Sequence, residues 1–233
     1  MQRQILQNLI DFYTSFSDKK TILENKNFIS FNNDWPNFNI IKTNKISNEL
    51  FSVTKSKNWI ITDKSIQKNQ EIIKKERLFP VNKWTNMYLE KENAFSLQSI
   101  PNFKVEKLKK SDLPFFLKLI NSTIFKKEII NELHFKDKLQ HPNFNMYVGK
   151  YHNEIVSTFV LFTNKQTAGV YFFTTKKTHQ NKGFGTYTLK YVLNQQIQQK
   201  PIKFVLHATN MATKIYKKID FITCNKLHIF VKI

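Results

Sequence analysis

Four glycines occur in 233 residues, and two of them stand one residue apart, at Gly183 and Gly185. The first 148 residues contain none. Glycine is required where φ is positive or where the backbone must be approached closely. In so glycine-poor a chain the pair marks such a place. Before it, Val170 to Thr175 is a run of β-branched and aromatic residues that predicts a strand. After it, Leu189, Val192, Leu193 and Ile197 fall on one helical face, and Pro201 is expected to end that helix. The constraint is therefore a strand, a polar loop reading Gln180-Asn181-Lys182-Gly183-Phe184-Gly185, and a helix. At such a junction the N–H groups from Asn181 to Thr186 can converge, and the helix dipole adds partial positive charge. This predicts an anion site suited to phosphate or pyrophosphate. Lys176, Lys177 and Lys182 are expected to surround it. A Rossmann loop needs a third glycine, and a phosphate-loop NTPase needs Gly-Lys-Ser/Thr; both are absent.

Composition narrows the setting. No apolar run approaches the roughly 18 residues of a transmembrane helix, so no membrane span is expected. The N-terminus lacks the pattern of a secretory signal. Cys224 is the lone cysteine and cannot form an internal disulfide. It is expected to be a buried small hydrophobe, and a reducing cytoplasm fits. The histidines and Cys224 show no metal-ligand spacing, so no metal is expected. The net charge is +20, but Arg3 and Arg77 are the two arginines among 37 basic residues, and the lysine excess matches a composition rich in Asn and Ile. The distribution says more. Residues 1–100 carry net +5 and residues 101–233 net +15, so the second half suits an anionic ligand.

The boundary is drawn at Asn102, beside Pro101, giving lobes 1–101 and 102–233. In the second lobe, Phe103 and Val105 predict a strand. Ser111-Asp112 offers a cap for a helix bearing Leu113, Phe116, Leu117 and Ile120. Ile129, Ile130 and Leu133 predict a second helix. Strands are expected from Phe144 to Gly149, Ile155 to Phe162, Val170 to Thr175 and Phe204 to His207. A helix is expected from Asn210 to Ile219, with Ile215 and Ile219 on one side. Two last strands are expected at Phe221 to Cys224 and Leu227 to Val231. In the first lobe, Ile5 to Ile10 predicts a helix, Phe38 to Ile41 a strand, Ser65 to Glu76 a helix and Trp84 to Leu89 a strand. Trp35 and Trp84 are assigned to packing.

A second segment, Leu206-His207-Ala208-Thr209-Asn210 through Tyr216-Lys217-Lys218-Ile219-Asp220-Phe221, begins some twenty residues after the glycines. Together the two segments resemble motifs A and B of the GNAT superfamily of acyl-coenzyme A-dependent N-acetyltransferases. Motif A is Arg/Gln-x-x-Gly-x-Gly/Ala after a strand. Motif B is a strand, Asn or a small polar residue, an aliphatic residue with Tyr, then Gly-Phe. The resemblance covers about 102–233. It implies an α/β fold: a mixed central sheet flanked by helices, with an N-terminal α/β lobe for which a degenerate, half-sized relative of the same fold is one reading. It further implies acetyl-CoA as co-substrate and a primary amine as acceptor. Phe173, Thr174 and Thr175 would meet the pantetheine arm. Gln180, Asn181, Lys182, Gly183, Phe184, Gly185 and Thr186 would hold the pyrophosphate. Asn210 would lie near the pantetheine, and Tyr216 would protonate the departing thiolate.

This sequence also departs from the family. The strand before the loop reads Tyr171-Phe172-Phe173 where many members carry a glutamate base. His207 is the first candidate for the missing base, with Glu154 and His179 behind it. Asp220 replaces the usual glycine before Phe221. Thr175 and Lys177 stand where Val and Pro are frequent. These departures leave a rival open: a GNAT fold without chemistry that binds nucleic acid through its basic surface. A third reading is an acetyltransferase whose amine is carried on RNA.

Overall fold

The computed structural model describes residues 1–44, 46, 49–199 and 202–233. Pro201, expected to stop a helix, lies outside them. The elements run α1 (Gln2–Thr14), β1 (Ile22–Glu24), β2 (Phe28–Asn32), β3 (Asn37–Ile41), α2 (Glu49–Val53), β4 (Asn58–Thr62), α3 (Asp63–Lys68), α4 (Gln70–Lys75) and β5 (Leu78–Leu89). They continue with β6 (Phe103–Lys107), α5 (Leu113–Ile120), α6 (Glu132–Phe135), β7 (Phe144–Tyr151), β8 (Glu154–Thr163), β9 (Thr167–Thr175), α7 (Phe184–Gln199), β10 (Lys203–Ala208), α8 (Asn210–Lys217) and β11 (Ile222–Lys232). Among the described residues no helix is long and apolar enough to cross a membrane.

Two compact units emerge: Met1–Tyr88 with Leu206–Ile233, and Leu89–Val205. This cuts the chain differently from the linear division at 102. The physical reason is strand pairing. β11 lies antiparallel to both β4 and β5, with Phe230 opposite Trp59 on one side and Pro80 on the other. The last strand is thereby built into the sheet of the first unit. That sheet is mixed: β1–β2–β3 are antiparallel, whereas β3 and β4 run parallel. The face of α1 bearing Ile5, Leu9 and Phe12 is buried. A separate cluster joins Trp59, Ile61, Ile73, Leu78 and Phe230. Trp35 packs on Tyr13 and Phe16, the packing role expected of it.

The second unit holds an antiparallel sheet in the order β6–β7–β8–β9. Val156 through Phe162 are buried on both faces of β8, and α5 and α7 both pack on that strand. Such double burial explains a continuous apolar run where a half-solvated strand would alternate. The turn between β7 and β8 falls at His152 and Asn153, both with positive φ, as its polar residues predict.

Five expectations change. Asp112 does not cap α5; its carboxylate takes Lys150 Nζ at 2.8 Å. Ile129 and Ile130 are not helical. α5 passes into a π turn over Asn121–Phe125, and the buried Asn121 side chain accepts the N–H of both isoleucines at 3.1 Å and donates to Ile130 O at 2.7 Å. A side chain has replaced the helical ladder there, and Leu133 sits exposed on the short α6. The helix expected over Ser65 to Glu76 is two, broken at Asn69, whose amide takes Ile46 N–H and donates to Ser65 O. The two last strands are one, β11, with a register shift between Thr223 and Asn225. Ile215 is exposed while Ile219 is buried, so they do not share a buried face.

Candidate active site

The expected site residues fall into two groups, one in each unit. Phe173, Thr174, Thr175 and residues 180–186 lie in the second unit; His207, Asn210 and Tyr216 lie in the first.

In the second unit, β9 does not run regularly to its end. Thr158 pairs with Thr174 and Val160 with Tyr171, so β9 holds one extra residue opposite Phe159. Phe172 has φ +45, and the Thr158 hydroxyl donates to its carbonyl at 2.7 Å. A non-glycine in that region costs on the order of 1–3 kcal/mol and persists only when its surroundings enforce it. Here the Phe125 and Phe135 rings pack on Phe172, at 6.2 and 5.7 Å between centroids. A bulge re-aims the chain beyond it, here Phe173 to Thr175. No residue type in Tyr171-Phe172-Phe173 announces it. Its trace in the sequence is three successive aromatics, which strict alternation cannot place on one face.

From Thr175 the chain crosses a loop before α7. Asn181 takes φ +62 and Gly183 φ +84. A Cβ on Gly183 would meet little, so glycine is needed there for conformation. Gly185 is needed for space: a Cβ would lie 2.9 Å from Thr175 Oγ1. The first turn of α7 is thus drawn against the end of β9. Gln180 Nε2 donates to Thr175 O at 3.0 Å and ties the loop to the same strand end. Phe184 is buried, stacked on Phe103 at 4.5 Å and tilted against Tyr151. Its ring anchors the helix start, leaving main chain and small side chains at the surface.

The Tyr187 N–H bonds back to Gly183 O at 2.9 Å. The N–H groups ahead of it in the first turn have no helical acceptor, and that turn holds no acidic residue. A cradle this close to the backbone, with Gly185 bare of Cβ, fits a pyrophosphate. Lys177 and Lys182 are exposed beside it. Lys176 is engaged instead with Glu154. That ion pair holds the Glu154 carboxyl below its usual range, which makes it a poor base. His179 shares a hydrogen bond with Thr178 Oγ1.

In the first unit, His207 lies on β10 and packs against Trp84, 6.1 Å between ring centroids. Its Nδ1 is 2.7 Å from Asn86 Oδ1, and Asn86 Nδ2 donates to Asn225 Oδ1 at 3.0 Å. With its NH₂ committed, the Asn86 amide presents only oxygen to His207. Nδ1 therefore carries the proton and Nε2 the lone pair. The residue is half-buried, but Nε2 is sealed from solvent. Burial pulls the imidazole pKa down to about 3. α8 is capped by Thr209, whose hydroxyl accepts from Ala212 N–H at 3.4 Å, and Asn210 is its exposed first residue. Tyr216 is buried beside Phe221, and burial raises its hydroxyl pKa, so it stays protonated at any working pH. Asp220 adopts φ +70, the conformation for which the family uses glycine. Cys224 is half-buried and its thiol pKa is raised by burial, which disfavours a nucleophilic role.

No curated protein matches the sequence. Among solved structures, a GCN5-related N-acetyltransferase from Kribbella flavida aligns with a TM-score of 0.69 at 9% identity, covering 97% of this chain and 92% of that one. A functionally unknown conserved protein from Staphylococcus epidermidis ATCC 12228 aligns with a TM-score of 0.63 at 12% identity, covering 91% and 93%. At these identities the likeness is one of fold. The family model for the acetyltransferase (GNAT) domain matches residues 103–231, from the first strand after Asn102 through β11. By that match over more than half its length, this chain belongs to the GNAT acetyltransferase family.

Proposed function

We propose that this protein transfers an acetyl group from acetyl-CoA to a primary amine by direct attack, in the cytoplasm. The observation that carries the reading is the loop at residues 176–186. The φ +84 at Gly183 and the close approach of Gly185 to the Thr175 side chain support reading it as a pyrophosphate cradle. In this reading residues 102–233 are the acetyltransferase domain, and the N-terminal lobe shapes the acceptor site.

Acetyl-CoA supplies an activated thioester. The Asn181 to Thr186 main chain would bind its pyrophosphate. The bulged main chain at Phe173 to Thr175 would align the pantetheine arm and offer an N–H to the acetyl oxygen. Tyr216 would give its proton to the thiolate as the carbon–sulfur bond breaks and regain one as the acylated nitrogen loses its proton, leaving coenzyme A thiol and an N-acetylated product. His207 cannot store the amine's proton when its pKa is about 3. With Nε2 sealed, His207 serves packing on β10 in this reading, and the amine sheds its proton to solvent. Activity should then rise with pH toward the pKa of the amine, without an inflection near 6.5.

The test is acetyl-CoA consumption over a panel of small amines, amino acids, peptides and aminoacyl-tRNA. Tyr216→Phe should lower kcat roughly 100-fold while leaving acetyl-CoA affinity unchanged. A Tyr216→Phe enzyme of full activity, or ping-pong kinetics, would remove the direct mechanism with Tyr216 as acid. Salt-sensitive nucleic-acid affinity without acetyl-CoA affinity would favour a binding module instead.

A further inference from the structure

A groove of about 530 Å³ opens within the first unit, between α3 and α4 on one side and the start of β5 with β11 on the other. That size lies within the roughly 300–1,000 Å³ range of small-molecule sites. Its floor is apolar: Ile66, Ile73, Leu78, Pro80 and Phe230 line it, and Phe79 adds a half-exposed ring at the mouth.

The polar part of the lining is one-sided. Lys74, Arg77 and His228 contribute cationic or proton-donating groups, Gln70 an amide, and no carboxylate is among the lining residues. Gln70, Ile73 and Lys74 recur at helical spacing on α4, so one face supplies both apolar wall and charge, and Arg77 follows just past the helix end. Arg77 is one of two arginines in a chain with 37 basic residues. It sits at φ +51, its N–H on Lys74 O and its carbonyl accepting Ile233 N–H. A strained, non-glycine position held from both sides fixes where the guanidinium starts. The neighbouring Glu76 is committed to Lys232 at 2.8 Å, and among the described residues Arg77 has no ion-pair partner. His228 is held by Asp63, whose other oxygen accepts Lys226 N–H at 3.1 Å.

We propose that this groove binds an amphipathic carboxylate, its apolar body against Ile73 and Phe230 and its carboxylate at Arg77 and Lys74. The charge of the mouth excludes the amine acceptor of the acetyl-transfer reaction, so this site is independent of that reading. A guanidinium matches a carboxylate in two parallel hydrogen bonds, which a lysine cannot reproduce. That gives a reason for arginine at position 77.

Calorimetric titration of the full chain with octanoate, 1-octanol and octylamine tests this. Octanoate should bind at least tenfold more tightly than octanol, and octylamine should not bind. Arg77→Gln, an exposed change that spares the core, should weaken octanoate at least fivefold and leave octanol unmoved. Ile73→Trp should fill the groove and abolish both. Gly185→Glu should bind octanoate as wild type does, which separates this site from the coenzyme cradle. The proposal is overturned by absence of octanoate binding to folded wild type, or by octanol or octylamine binding as tightly as octanoate. An octanoate affinity unchanged in both Arg77→Gln and Ile73→Trp would overturn it equally.

Discussion

At the β9–α7 junction residues 176–183 separate strand from helix, whereas β4 ends at Thr62 and α3 begins at Asp63 with nothing between. Both are strand-to-helix steps, one in each unit. At the short one the helix start is closed by its own side chains. Thr62 Oγ1 accepts Ser65 N–H at 3.3 Å, and Asp63 places a negative charge in the first turn. At the long one no acidic residue occupies the first turn, and Gly183 and Gly185 keep the main chain bare. The same order of elements thus yields a self-capped helix in one unit and, in the other, an uncapped helix start that we propose as an anion cradle. The difference is a few residue types, Thr-Asp against Gly-x-Gly.

The largest effect is expected where the long junction is anchored. Phe184→Ala should cost about 3–5 kcal/mol of stability, because a buried ring stacked on Phe103 is lost. It should also weaken acetyl-CoA binding, since the loop loses its fixed end. Chemical denaturation and calorimetry read the two effects, and an unchanged affinity would mean that the anchor does not shape the cradle. The matching change at the short junction, Thr62→Ala, should cost about 1 kcal/mol through loss of the cap and leave acetyl-CoA affinity untouched. A loss of affinity there would break the contrast between the junctions.

A further effect concerns pH. Folded His207 titrates near 3 and unfolded near 6.5. Between those values the unfolded chain binds a proton that the folded chain refuses. Stability should therefore fall as pH drops through that window. His207→Gln should flatten that part of the slope, measured by denaturation at pH 7 and pH 5. An identical slope in the variant would show that His207 is not held neutral by burial.

The legible parts of this chain are those where a residue type answers a backbone demand. The glycine pair marks the loop before α7, and the spacing of Leu189, Val192, Leu193 and Ile197 marks the helix behind it, all buried on α7. The strand β2 was not read, although Phe28 to Phe31 are buried, because a short apolar run carries no period of its own. Breaks at Asn69 and Asn121 were hidden because each depends on an amide replacing main-chain partners distant in sequence. The bulge at Phe172 and the placing of β11 between β4 and β5 depend on strand pairing, which local pattern does not encode. At the site, the glycine positions are legible in sequence and the side-chain contacts are not. Gln180 was assigned to the phosphate, and its amide braces Thr175 O. His207 is the first sequence candidate for the base, and its burial has no local sequence signal.

The central claim is that the loop from residue 176 to 186 is a coenzyme cradle. Calorimetric titration of acetyl-CoA into wild type and into Gly185→Glu, with folding of both verified by circular dichroism, tests it most directly. The account predicts binding by wild type and a loss of at least 100-fold in Gly185→Glu, where bulk meets Thr175 Oγ1 and a carboxylate meets the anion. Equal binding by the two folded proteins, or none by wild type, would contradict it.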